Sequence, residues 1–270
     1  MIDILLIYDK IYNMKYYSVK ELDKYGFVKA FAVPKDIARW RIYSHDIKAG
    51  MEDLKYYNDL ANDFGITPDD MIRIPQSHTS NVYIAKHSDG GQGVVRMELD
   101  GGWDGIVTNE KNLMLLTIES DCTPVYILDP VKKAIGMVHS GWRGTVDRIT
   151  EKAILLMEKE YGSRVEDLIV HFGPAICANC YEVGMELIDE FKKILKCDDI
   201  HKVFKPIVDK EEKYFLDVTE AIRLSLIDFG IKEENMTRDR ICTFHDDIFN
   251  SWRRDKDKTK QMLTGIIIVS

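Results

Sequence analysis

The sequence predicts an α+β fold with mixed sheets. Five short apolar runs follow one another between residues 93 and 139 with only turn formers between them, as successive strands do. Stretches with helical spacing stand around that block and do not alternate strictly with it, which separates the pattern from a regular parallel α/β fold. Composition supports a packed chain: 45% hydrophobic and 30% charged residues form an ordinary globular balance that needs no special staple.

Taken in order, β-branched and apolar residues predict strands at 2–7 and 27–33. A helix follows, because Leu54, Tyr57, Ala61 and Phe64 recur at spacings of three and four, with Gly65 as its stop. The strand block comprises 94–99, 106–108, 113–118, 125–128 and 134–138, read as a meander broken at Gly101-Gly102, Asp121 and Asp129-Pro130. A helix over 145–161 carries Val146, Ile149, Ala153 and Leu156 on one face and ends at Gly162. Then come a strand at 168–172, helices at 183–195 and 218–229, and a last strand at 265–269. The polar stretches 198–213 and 253–260 read as solvated loops. No repeat, low-complexity tract or long linker divides the chain, so a single domain over 1–270 is expected.

The net charge of -8 sets the surface against phosphate backbones and anionic lipid, so neither nucleic acid nor a membrane is expected as partner. A local arginine cluster can still favour a small anion. Five cysteines do not make a secreted disulfide framework, the start has no basic leader, and no run reaches the roughly 18 apolar residues of a membrane span. A cytoplasmic location is expected.

Three segments place a metal-ligand type beside a strand end: His78 in "QSHTSNVY", Cys122 in "ESDCTPVYILDP" and His139 in "GMVHSGWRGT". Zinc accepts imidazole nitrogen and thiolate sulfur, and three protein ligands with one open position is the catalytic pattern, whereas structural sites close with four. Spacing alone leaves open that these are packed residues. After His139 the chain reads as strand, glycine turn and helix start, which would aim backbone N–H groups and Arg143 at an anion such as phosphate. The plainer alternative is a tight turn permitted by Gly141 and Gly144, with Arg143 paired to an acidic neighbour. Asp121 points away from Cys122 in an extended chain and suits a supporting or turn role. Cys177 and Cys180 have Cys-x-x-Cys spacing but no second such pair, and are expected to be ordinary thiols. Trp40, Trp103 and Trp252 read as half-buried packing residues, with stacking on a base open to Trp252; His45, His87, His171 and His201 read as surface or core histidines.

In this order, "QSHTSNV", "DCTPVYILDP", "GMVHSGWRGTV", "GPAICANCYEVG" and "CTFHDDIFNSWRRD" resemble the motifs of the laccase-domain or purine nucleoside phosphorylase family, the bacterial YfiH group once called polyphenol oxidase. The resemblance runs from about residue 72 to the end. It implies a YfiH-like fold, layered with flanking helices and distantly related to deamidase toxins. It also implies a zinc site of His78, Cys122 and His139, with Cys122, His139 and Arg143 catalytic, and Arg143, Tyr181, Arg253 and Arg254 lining the substrate cleft. The implied activity is phosphorolysis of adenosine, inosine and methylthioadenosine to free base and ribose 1-phosphate, with adenosine deamination. Purine nucleoside and phosphate are then the partners, and the chain is a monomer or homodimer. The chain departs from the family pattern in lacking an amino-terminal glycine pair, in Thr79 after the motif histidine, and in Lys258-Thr259-Lys260 near the end.

Other chemistries fit parts of the pattern. A copper polyphenol oxidase would need many imidazoles, and the chain has seven histidines with no His-x-His pair, so copper ranks below zinc. A metal-free hydrolase would use Cys122 as nucleophile and His139 as base. A scaffold protein would close its zinc with a fourth ligand, for which His245 near Cys242 is the spare candidate.

Overall fold

Strands whose two faces are both apolar need cover on both sides, and this chain supplies it by stacking two sheets and adding helices outside each. The computed structural model describes residues 16–35, 47–97, 99–256 and 261–269. The expected strand at 2–7, Trp40, His45 and the segment 258–260 lie outside the described residues.

In chain order the elements are β1 (Tyr17–Ser18), α1 (Lys20–Asp23), β2 (Val28–Val33), α2 (Ile47–Phe64), β3 (Met71–Arg73), β4 (Val82–Ile84), β5 (Gly105–Thr108), β6 (Met114–Glu119), β7 (Thr123–Asp129) and β8 (Ala134–Ser140). There follow α3 (Trp142–Val146), α4 (Ile149–Tyr161), β9 (Ile169–Phe172), β10 (Glu182–Gly184), α5 (Glu186–Phe191), α6 (Cys197–Val203), β11 (Phe204–Pro206), β12 (Lys213–Leu216), α7 (Val218–Phe229), β13 (Met236–Arg238), α8 (Trp252–Asp255) and β14 (Met262–Ile268). One sheet runs β1-β2-β14-β6-β3, a second β13-β9-β7-β8-β5-β4, and a small third β10-β12-β11. Both large sheets are mixed: β3 is parallel to β6, β4 to β5 and β13 to β9, while the other pairings are antiparallel.

Side chains alternate between layers as the strand period requires. On β7, Val125 and Ile127 face α4 and α7, meeting Ala153, Ile154, Met157 and Ile222. Tyr126 and Leu128 face the other sheet, meeting Ala30, Leu115 and Ile266. Beyond that sheet, Phe31, Met114 and Leu116 pack against Tyr57, Leu60 and Ala61 of α2. The order is therefore helix, sheet, sheet, helices, the layered mixed-sheet α+β architecture expected. Among the described residues no helix is long and apolar enough to cross a membrane.

Several element boundaries differ from expectation. The block 94–139 is not a meander: β5, β7 and β8 share one sheet, but β6 pairs with β14 and β3 in the other. The chain crosses between sheets after β6, through Asp121 at φ +81°, and Cys122 lies at that seam. Residues 94–97 form no strand, because the carbonyl of Gly91 accepts from the N–H groups of Val94, Val95 and Arg96 and curls the backbone, leaving Met97 exposed. The helix expected over 145–161 is two helices, broken where Arg148 takes φ +58°. Residues 182–184 are strand, paired to β12, so only α5 remains of the helix expected there. The polar stretch 198–213 holds most of α6 and all of β11, whose Val203 and Phe204 anchor an otherwise exposed surface to the core.

Candidate metal centre and its cleft

The antiparallel register of β7 on β8 pairs Pro124 with His139 and Thr123 with Ser140, so Cys122 arrives beside the exit of β8. His78 comes from the loop between β3 and β4, and β4 lies next to β5, which begins one residue after Asp104. Three distant segments thus converge: one ligand atom each of His78, Cys122 and His139 lies within 4.8 Å of the others. Cys122 Sγ is 3.9 Å from His78 Nε2, and the two imidazoles meet edge to face with centroids 4.9 Å apart. Zn–S of about 2.3 Å and Zn–N of about 2.0 Å imply tetrahedral edges of roughly 3.3–3.8 Å, so the donor set fits one ion with little movement.

Asp104 organises this arrangement, and nothing in the sequence singled it out. It is fully buried; its carboxylate accepts from His139 Nδ1 at 2.7 Å, from the backbone N–H groups of Ser77, His78 and Thr79, and from the Thr79 hydroxyl. Holding Nδ1 leaves His139 Nε2 turned toward the cluster, the tautomer a ligand needs. The same carboxylate sets the turn in which His78 takes φ +59°. Burial works to raise its pKa, but the bond and charge of His139 and the Thr79 donors outweigh it and hold Asp104 down at about 2. Gln76 clamps the other side of the loop, exchanging hydrogen bonds of 2.7 and 2.8 Å with the backbone of Ile118.

Glu119, also unforeseen, lies fully buried with Oε2 3.6 Å from His139 Nε2, and neither of its carboxylate oxygens has a hydrogen-bond partner. Burial is the main force pushing its pKa up to about 8. Burial also tends to raise the Cys122 thiol, but His139 and His78 overcome it and bring Cys122 down to about 6. For His139 burial acts downward, and the charges of Glu119 and Cys122 carry it well above its ordinary value. An anionic sulfur and an orphaned buried carboxyl around one point are what a divalent cation would relieve. Gly141 completes the floor: a Cβ there would sit 2.9 Å from Cys122 Sγ, so no other residue fits without displacing the thiol.

The cluster opens into a cleft of about 880 Å³ lined also by Trp142, Arg143, Tyr181, Trp252 and Arg253. Arg143 stacks on Trp142 at 4.3 Å and makes no ion pair among the described residues. Arg253 lies 5.1 Å from the Tyr181 ring and donates to the carbonyl of Glu182 at 3.1 Å. Burial, followed by the charge of Cys122, pushes the Tyr181 phenol up to about 12. The helix after Gly141 has only five residues, too short for the helix-terminus anion site expected there, so the positive charge of the cleft comes from the arginine side chains.

Arg254 does not line the cleft as expected. Its guanidinium donates to the carbonyls of Thr243, Phe244 and Phe249 and pairs with Asp255, because neighbouring residues on a helical turn point about 100° apart. Asp121 takes the supporting role: its carboxylate accepts from the Thr243 hydroxyl at 2.6 Å and from the N–H of Arg253 at 2.7 Å. His245 does not approach the three-residue cluster as a fourth ligand; it stands with Cys177, Cys180 and Cys242, whose thiols are not isolated. Of the remaining candidates, His171 is core, His87 and His201 are exposed, Trp103 packs on Tyr83, and Trp252 stands 41% exposed at the cleft.

The sequence model of the family described as multi-copper polyphenol oxidoreductase laccase matches residues 52–269. A purine nucleoside phosphorylase of Bacteroides thetaiotaomicron is 34% identical over 210 residues, covering 74% of each chain. Purine nucleoside phosphorylase YlmD of Bacillus subtilis is 30% identical over 83% of this chain and 80% of its own. A protein of an unknown prokaryotic organism named adenosine deaminase RL5 is 28% identical over 77% of this chain and 78% of its own. The crystal structure of Bacillus licheniformis hypothetical protein YfiH superposes with a TM-score of 0.83 at 26% identity, covering 94% of this chain and 96% of that one. With this extent of match, the chain belongs to the laccase-domain family whose curated relatives are named for purine nucleoside chemistry.

Proposed function

We propose that the chain is a zinc-dependent purine nucleoside enzyme that phosphorolyses adenosine, inosine and methylthioadenosine and also deaminates adenosine. The observation that carries this reading is the convergence of His78, Cys122 and His139 at the floor of a cleft whose walls bring Arg143 and Arg253 toward the same space. A zinc ion held by these three residues would supply Lewis acidity at one open position.

The chain's own residues do the rest. Tyr181, Trp142 and Trp252 offer faces for a purine ring, and Arg143 and Arg253 offer charge for phosphate. In phosphorolysis a phosphate oxygen bonds to the anomeric carbon, the glycosidic C–N bond breaks, and the phosphate proton passes to the departing base. In deamination water adds at C6, the C6–N bond breaks, and ammonia leaves. Asp104 keeps His139 in the ligating tautomer. An assay of the purified protein with each nucleoside, with and without phosphate, tests the reading. Free base and ribose 1-phosphate (5-methylthioribose 1-phosphate from methylthioadenosine) are expected only with phosphate, and inosine from adenosine without it; conversion of no nucleoside by zinc-loaded protein overturns the proposal.

One observation favours a second reading. Cys122, His139 and Asp104 form a cysteine–histidine–aspartate arrangement, with the thiol lowered and the imidazole raised, as in a metal-free cysteine hydrolase. Chelation separates the two: activity that survives a chelator and stops with a thiol alkylator supports the hydrolase.

A further inference from the structure

We propose that Cys177, Cys180, Cys242 and His245 form a second, closed zinc site that is structural, pinning the loop after β9 to the loop after β13. One ligand atom from each lies within 4.8 Å of all the others. Cys177 Sγ and Cys180 Sγ are 3.6 Å apart, and Cys180 Sγ is 3.2 Å from His245 Nε2. A tetrahedral Cys₃His zinc has sulfur–sulfur edges of roughly 3.8 Å and sulfur–nitrogen edges somewhat shorter, which these distances match. The sulfur separation is well beyond the roughly 2.05 Å of a disulfide, and all three thiols are free.

The backbone is shaped for such an ion before it arrives. Ala175 and Cys242 form an isolated parallel bridge, and the N–H of Cys177 donates to Cys242 Sγ at 3.2 Å, a bond that favours a thiolate. The Cys-x-x-Cys and Cys-x-x-His half-sites are each ambiguous alone; the bridge sets them face to face. Four protein ligands leave no open position, which assigns the site to structure and not to chemistry. The pinned loops matter to the cleft, because Ile176 and Tyr181 line it and Thr243 bonds to Asp121, the residue before Cys122. On binding, each thiol that is protonated gives its proton to solvent. The inference does not depend on what reaction the cleft performs.

The test uses the full chain carrying Cys122→Ala, which removes the sulfur of the cleft cluster and leaves the second cluster intact. Elemental analysis is expected to find about one zinc per chain, and the cobalt-substituted protein to show the intense charge-transfer bands of several thiolates. A further Cys180→Ser change is expected to remove most of the metal, while His245→Cys keeps it and strengthens the thiolate bands. The proposal is overturned if folded Cys122→Ala protein takes up neither zinc nor cobalt, if the cobalt spectrum shows no thiolate ligation, or if mass analysis finds Cys177 and Cys180 joined as a disulfide. Iron with inorganic sulfide in place of zinc also overturns it.

Discussion

The two cysteine–histidine clusters are made of the same ligand types and differ in number and surroundings. In the cleft, two imidazoles and one thiol come from three elements of the sheet seam, with His78 exposed, Arg143 and Arg253 nearby, and a buried carboxylate behind His139. At the second cluster, three thiols and one imidazole come from two loops that bond to each other through backbone, and no carboxylate is hydrogen-bonded to the imidazole among the described residues. On the proposed assignments the difference separates chemistry from stability: an unfilled position and nearby cations would make one site reactive, and saturation would make the other inert.

The sharpest way to break this contrast is to remove one sulfur from each cluster. Cys122→Ser is expected to reduce nucleoside turnover to the level of a protein-free control while leaving the melting temperature nearly unchanged. Cys180→Ser is expected to do the reverse, lowering the melting temperature measurably with kcat at low temperature within a few-fold of wild type. If both variants lose turnover equally, the assignment of separate roles fails.

Asp104 gives the next largest effect. Asp104→Ala strands the N–H groups of Ser77, His78 and Thr79 and is expected to cost about 3–5 kcal/mol in urea unfolding, as breaking a buried charged pair does. Asp104→Asn keeps more of the packing and is expected to weaken zinc affinity by about 10–100-fold, the usual effect of losing a carboxylate behind a ligating histidine. Metal-competition titration measures it.

Two arginines divide the cleft from its support, Arg143 in the lining and Arg254 behind it. Arg143→Ala is expected to raise KM for phosphate by about 10–100-fold through loss of a charged contact. Arg254→Ala, which strips three carbonyls of their donor, is expected to lower stability with KM unchanged. Equal KM effects would return Arg254 to the cleft.

The smallest expected effect is a pH dependence. Glu119 is raised in the folded state to about 8, so its contribution to stability is fully present below its unfolded pKa of 4.5 and is lost as pH rises through 8. His139, Cys122 and Asp104 face it and share the titration. In chelated protein Glu119 is therefore expected to cost stability as pH rises from 4.5 to 8, offset above about 6 by the lowered Cys122 thiol, and Glu119→Gln is expected to flatten the falling part of the curve; an unchanged slope in the variant assigns it elsewhere.

Much of the fold was legible because apolar strands and long amphipathic helices declare themselves: the helix expected over 218–229 is α7, which the structure shows capped by Asp217 and ended at Gly230. Which sheet takes β6 was not legible, since pairing with β14 is decided 147 residues away, where Thr117 and Thr264 share a buried hydrogen bond. The three residues that converge in the cleft were readable as residue types at strand ends. Their supports were not: Asp104 sits in "GGWDG", which reads as a turn, and Glu119 is one acid among 45. The second cluster escaped because Cys180 and His245 are 65 residues apart and each half-site is commonplace.

The most direct test of the central claim is metal removal and restoration followed by base release from inosine in phosphate. Stripped protein is predicted to be inactive, to regain turnover when zinc is returned, and to stay inactive when it carries Cys122→Ser. Full turnover in protein proven free of metal, or in the Cys122→Ser variant, would contradict the account.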